Sequence, residues 1–204
     1  MNWLAHVFLS EQKIDFQLGN YLADPLKGKV WEDATTDMIK GMKIHMLIDS
    51  YTDSNDIVFT SKNRLRENGL LKSIVMDLTY DYFLTKNWDN FCNKPLNTFS
   101  NNFYKNALNR MSQLPLHTNT PMINMIQRDL LNKYHTLDQL EIAFERMDKR
   151  LSDRLKKRDT ASSYYEKVLE NIDSLENDFL EFFPQLCKEV KSNINENYIE
   201  HWRI

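Results

Sequence analysis

Glycine and proline are scarce in this chain, with 4 and 5 among 204 residues. A fold of many short strands needs tight turns, and tight turns draw on those two residues. An all-β sandwich or barrel is therefore not expected, and helices are the economical alternative. Cysteine is scarcer still: Cys92 and Cys187 lie too far apart in sequence for a metal-type pair, and free thiols in a reducing cytoplasm are expected. No run of about 18 apolar residues occurs, so no membrane-spanning helix is expected. The opening MNWLAHVFLS lacks a basic n-region and a small-residue cleavage site, and His6 breaks its apolar run; no secretory signal is read there. Neither charge sign dominates. A net charge of −3 argues against binding polyanions over the whole surface, and no nucleic-acid motif is present, the aromatics reading as core.

What is present is apolar mass: 42% hydrophobic and 12% aromatic residues, enough for a sizeable core in one domain over residues 1–204. The pattern predicts an all-α, single-domain helical bundle. Asn2 caps a first helix through His6 to about Ser10. A second, in FQLGNYLADPLKG, is interrupted where Pro25 follows Asp24, which sits at a helix end or bend because the residue before a proline is biased away from helical geometry. A third starts near Asp33 or Thr35 and ends near Thr52 to Ser54, with Ile44, Leu47, Ile48 and Tyr51 as its core face. SNDIVFTSKNRLRENG contains a further helical segment, and LLKSIVMDLTYDYFLTKNW, apolar nearly all round, reads as the central helix. Helices are then expected at about 96–112, 120–133, 137–157 and 161–200, the last broken near Pro184.

Against this apolar background some polar residues stand out. GMKIHMLIDSYTDS sets His45, Asp49 and Asp53 four residues apart, and the central helix carries Asp77 and Asp81 at the same interval. Taken singly, each has an ordinary explanation: a satisfied core histidine, a cap, a turn residue. Asp53 reads as the end of its helix. As a set, His6, Asp24, His45, Asp49, Asp77 and Asp81 lie on segments able to pack together, and buried carboxylates without a cation are too costly to remain ionised. An imidazole–carboxylate mixture of this kind suits manganese, iron, zinc or magnesium. Such an ion lowers the pKa of a bound water and offsets charge on a phosphoryl oxygen. A second anomaly is RMDKRLSDRLKKRD, residues 146–159, with seven basic residues against Asp148, Asp153 and Asp159. It reads equally as a solvated helix face with i,i+4 pairs or as a dock for an acidic partner.

MNWLAHVFLS, LGNYLADPLKG, GMKIHMLIDSYTDS and IVMDLTYDYFLTKNW, in that order and spacing, resemble the acyl carrier protein phosphodiesterase family. A looser likeness continues through LLNKYHTLDQLEIAFERMDKRL and FLEFFPQL. The resemblance implies an all-helical fold of the HD-phosphohydrolase type. It also implies metal-dependent removal of the 4′-phosphopantetheine arm from holo-acyl carrier protein in the cytoplasm, with Mn2+ favoured and Mg2+ or Fe2+ as alternatives. Carried over by position, the metal residues would be among His6, Asp24, His45, Asp77 and Asp81, with Asp24, Asp49 and Asp81 as catalytic acids. Asp49 or Asp81 would orient a histidine or act as base toward the attacking water. Lys27, Lys62, Arg64 and Arg66 would be candidates to hold the phosphodiester, while Arg150 and Arg154 match a basic pair that would dock the acidic carrier. The chain departs from the family pattern at two places: Tyr82 follows Asp81 where the family has histidine, and Asn55 stands where another histidine is frequent. Two other readings compete. One is an HD-type hydrolase of a nucleotide or small phosphate ester, the other a non-catalytic helical protein binding an acidic partner.

Overall fold

A computed structural model describes residues 1–203, and those residues form twelve α-helices joined by loops and short 3-10 turns. No strand occurs among the described residues beyond an isolated bridge between Cys92 and Trp202. No helix is long and apolar enough to cross a membrane. The helices are α1 (Trp3–Phe8), α2 (Ile14–Leu22), α3 (Thr36–Ser54), α4 (Asp56–Leu65), α5 (Lys72–Lys86) and α6 (Trp88–Phe91). They continue as α7 (Leu96–Met111), α8 (Asn119–Gln127), α9 (Leu137–Asp148), α10 (Asp153–Lys156), α11 (Tyr165–Glu170) and α12 (Ile172–Lys191).

Local chemistry sets most of these limits. Asn2 Oδ1 accepts from Trp3 N at 2.8 Å and Thr35 Oγ1 from Met38 N at 3.3 Å, starting α1 and α3 where the caps predict. Asn55, at one of the positions where a family histidine is replaced, ends α3 and caps α4 by accepting from Ile57 N at 2.9 Å. Several expected spans are shorter in the structure. The first helix stops at Phe8, and Ser10 instead donates to the carbonyl of His6 at 2.8 Å. The span expected to reach 133 stops at Gln127, because Asp129 takes a left-handed conformation at φ 48°. The span expected to reach 157 ends at Asp148, and Ser152 caps a separate short helix by accepting from Leu155 N at 3.3 Å. The last helix is not broken at Pro184: α12 runs through it, and the break falls at Asn171. Pro184 removes one helical hydrogen bond, yet it is only partly buried while Phe179, Phe182, Phe183 and Leu186 around it are fully buried and hold the helix in register.

The core centres on α12 against α5 and α4. Phe179 and Phe183 stack at 5.1 Å, and Tyr80 meets Phe179 edge-on at 5.3 Å. Both cysteines are buried free thiols. The tightest contact lies elsewhere, between α2 and α3. A Cβ on Gly19 would sit 2.1 Å from the Met38 carbonyl oxygen, and one on Gly41 would sit 2.0 Å from that of Phe16. The two glycines let the helix backbones touch.

His201 closes the far end of the core. It is fully buried, its Nε2 donates to the Phe8 carbonyl at 2.8 Å, and its ring stacks on Phe99 at 5.5 Å. Burial holds its pKa down to about 4, against 6.5 for a free imidazole. Because the folded value is the lower one, its contribution is fully present above about pH 6.5 and is lost as pH falls towards and through 4. The whole difference is worth about 3 kcal/mol. On going from pH 7.5 to pH 5 the wild type is therefore expected to lose stability relative to a His201→Gln variant, read as the difference between their urea midpoints at the two pH values. A difference that does not change with pH would remove His201 from the acid response.

Candidate metal centre

Three helices contribute to one polar cluster. His6 lies in the last turn of α1, Asn20 on α2, and His45 and Asp49 one turn apart on α3, with Asp24 just past the end of α2. The glycine contact between α2 and α3 places Asn20 against both imidazoles. His6 Nδ1 donates to Asn20 Oδ1 at 2.9 Å, and His45 Nδ1 donates to the Asn20 carbonyl at 2.8 Å. The orientation of the Asn20 amide is set by its Nδ2, which donates to the His6 carbonyl and to Ser10 Oγ, both at 2.9 Å. One residue thus fixes both rings, which stack with centroids 4.0 Å apart and planes 19° from parallel.

With both Nδ1 atoms committed, the two Nε2 atoms face a shared set of oxygens. His45 Nε2 lies 3.0 Å from Asp49 Oδ2 and 3.2 Å from Asp24 Oδ1. His6 Nε2 lies 3.3 Å from Asp49 Oδ1 and 3.1 Å from the Met1 carbonyl. Ligand atoms from His6, His45 and Asp49 all lie within 4.8 Å of one another. The histidines are buried, whereas the Asp24 carboxylate is 66% exposed at the edge of the cluster.

The electrostatics are those of a place that wants positive charge. Burial pushes the pKa of His45 down, but hydrogen bonds to Asp24 and Asp49 outweigh it and raise the value to about 9. Burial lowers that of His6, with Asp49 opposing. Burial would raise the Asp49 carboxyl, yet the two imidazoles hold it well below the ordinary carboxylate range. Asp24 is lowered by its hydrogen bond with His45. The residues fit a divalent cation. A neutral His6 donating from Nδ1 turns the Nε2 lone pair toward two oxygens, a repulsive arrangement that a shared cation reverses. Two imidazole nitrogens with carboxylate oxygens suit several first-row ions as well as zinc.

The remaining expected site residues fall elsewhere. Asp77 accepts from the Met1 amino group at 2.9 Å and does not join the histidines. Asp81 is fully buried at the start of α1, where its Oδ2 accepts from Leu4 N at 3.3 Å while its Oδ1 has no partner. Burial raises its pKa to about 7. Tyr82 is buried, its ring 5.4 Å from that of Phe83. Lys62 pairs with Asp53 at 3.1 Å, and Arg64 grips Asp178 at 2.8 and 3.2 Å. Arg66 donates to the Ser163 carbonyl at 2.6 Å and lies over the Tyr164 ring. Lys27 is exposed beside Asp24 in a left-handed conformation at φ 52°. Arg150 and Arg154 are exposed, Arg154 on α10. Asn20 escaped the sequence reading because a neutral amide stands out in neither charge nor periodicity; its adjacency to Gly19 in LGNYLAD is the signal that was there.

A family model described as acyl carrier protein phosphodiesterase matches residues 1–186. The acyl carrier protein phosphodiesterase of Enterobacter sp. (strain 638) is 24% identical over 198 residues, covering 94% of this chain and 98% of that protein. Its namesake from Escherichia coli O6:H1 is 25% identical over 192 residues, covering 93% and 97%. A third, from Photorhabdus laumondii subsp. laumondii, is 30% identical over 90 residues, which span 44% of this chain and 46% of that relative. No solved structure matches. The coverage by the family model and the ordered motifs that cross the paired histidines have one meaning: the chain belongs to the acyl carrier protein phosphodiesterase family.

Proposed function

We propose that this chain hydrolyses the phosphodiester between a carrier-protein serine and its 4′-phosphopantetheine arm, releasing apo-carrier and free 4′-phosphopantetheine in the cytoplasm. His6, His45 and Asp49 would hold a divalent ion, manganese first, with Asp24 at the open edge. The observation that supports this most is the convergence of two Asn20-anchored imidazoles with Asp24 and Asp49 in a chain whose relatives carry that name. When bound, the ion supplies Lewis acidity toward a water and a phosphoryl oxygen. Asp49, tied to both rings, keeps the imidazoles in place and carries negative charge at neutral pH. Asp24, ionised and exposed, is the group positioned to take the proton of the attacking water.

The basic stretch supports an acidic partner. Two of its three acids are turned inward. Asp148 accepts from the backbone of Ala161 and Ser162 at 2.6 and 3.2 Å, and Asp159 from Leu70 and Leu71 at 2.8 and 3.2 Å. The basic residues are left facing solvent, a surface that would steer an acidic carrier and orient it.

The test incubates purified protein with holo-carrier and manganese and follows the carrier by mass. Loss of the phosphopantetheine moiety is expected, together with metal in the purified protein by elemental analysis. An unchanged carrier alongside cleavage of a nucleotide would replace this reading with that of a small-molecule phosphohydrolase.

A further inference from the structure

A cavity of about 230 Å³ lies beside the candidate metal centre, between the start of α1, α5 and α9. Asp24 lines it and also faces His45 Nε2 at 3.2 Å, so the cavity and the centre share a wall. Most of the lining is apolar, with Ile74 and Leu78 from α5 facing Ala143 and Met147 from α9. Polar side chains are set among these walls, Asp24, Asp77, Lys133, Tyr134 and Gln139 among them. The Tyr134 hydroxyl accepts from Asn2 Nδ2 at 3.2 Å and donates to no protein group among the described residues, so its hydrogen is free for a ligand carbonyl. Gln139 accepts from His135 N at 2.8 Å through Oε1, which leaves its amide nitrogen as a second donor. Arg146 and Arg150 also line the space and form no ion pair among the described residues.

Apolar walls with hydrogen-bond donors set among them are what recognises a flexible ligand of methylenes and amides. Its volume falls just under the roughly 300 Å³ at which pockets for drug-sized ligands begin. The arm of a carrier protein has this chemistry: methylene and gem-dimethyl stretches interrupted by two amides and ending in a thiol. Resting on the function proposed above, we infer that this cavity holds the pantetheine portion of the arm while its phosphate lies at the Asp24 end. The apolar segments pack between α5 and α9, and Tyr134 and Gln139 donate to the amide carbonyls. The arm is thereby bound along its length, which fixes the phosphodiester at the centre.

Calorimetric titration of the intact protein with pantetheine, which has no phosphate, tests this in EDTA, where the metal plays no part. Saturable uptake is expected. Alkylation of an Ala143→Cys variant with N-ethylmaleimide after folding should lower its uptake at least tenfold relative to the same variant left unalkylated; Cys92 and Cys187 are buried. Tyr134→Phe, which keeps the ring, should weaken uptake about fivefold through loss of one hydrogen bond. Absence of uptake by the wild type, or equal uptake by the alkylated variant, overturns the assignment of the cavity. Unchanged uptake by Tyr134→Phe overturns the role given to its hydroxyl. Failure to cleave holo-carrier would instead strike the function proposed above and leave pantetheine uptake standing.

Discussion

Changing His45 to alanine is expected to lower manganese-supported cleavage of a holo-carrier about a thousandfold, the equivalent of roughly 4 kcal/mol of lost transition-state stabilisation. The ring supplies Nε2 to the cluster and reaches Asp24 Oδ1 at 3.2 Å, whereas His6 Nε2, which shares Asp49 with it, lies against the Met1 carbonyl instead. Asn20 offers a finer comparison. Its side chain orients His6, while its backbone carbonyl orients His45. Asn20→Leu therefore removes the acceptor from one imidazole and leaves the other. Metal affinity should fall about 10- to 100-fold, as it does when a hydrogen bond behind a ligand is lost, with less effect on turnover at saturating metal than His45→Ala. Equal metal affinity in wild type and Asn20→Leu would show that the amide does not hold His6 for a metal, and full activity in His45→Ala would remove the centre altogether.

The second large effect has the opposite sign to the usual one. Gly41 lies inside α3, where Gly→Ala ordinarily stabilises a helix by about 1 kcal/mol. Here the added Cβ would meet the Phe16 carbonyl oxygen at 2.0 Å and Asn20 N at 2.8 Å, and both are backbone atoms that cannot swing away. Gly41→Ala is expected to destabilise by about 3 kcal/mol, in the upper range for overpacking, which lowers the melting temperature by about 6–12 °C in a chain of this size. Because α2 must move off α3, the Asn20 carbonyl also leaves His45, so metal affinity should fall with stability. Gly28, at φ 69° with nothing near its Cβ position, is the contrasting site, where alanine brings backbone strain without a clash. A Gly41→Ala protein as stable as the wild type would mean that the two helices can separate at no cost.

Much of this architecture was legible in local chemistry, and what was not is instructive. Asn2 and Thr35 start helices because their side-chain oxygens satisfy otherwise unpaired backbone donors, a property that belongs to a few adjacent residues. The continuity of α12 through Pro184 was not legible, since it depends on phenylalanines packing against distant helices. The site follows the same division. His45 and Asp49 share a face of one helix, and that follows from their spacing. Asp77 and Asp81 have the same spacing on α5, but spacing does not say which neighbour a helix turns toward, and α5 turns them to the start of α1. Arg64 and Arg66 look free in sequence, yet their partners Asp178 and Ser163 lie about a hundred residues away.

The inward turn of Asp148 and Asp159 gives a strip that is already basic in composition a more uniformly basic outer face. In the unfolded chain these carboxylates travel with the neighbouring arginines and lysines and soften their field. In the folded chain they are occupied as acceptors for Ala161, Ser162, Leu70 and Leu71, and Asp159 also takes a 2.6 Å hydrogen bond from Tyr164. The attraction felt by an acidic macromolecule then depends in part on native structure. Its reach is set by ionic strength, from about 8 Å under physiological salt to about 3 Å at 1 M. Encounter rates should be the quantity that salt changes most.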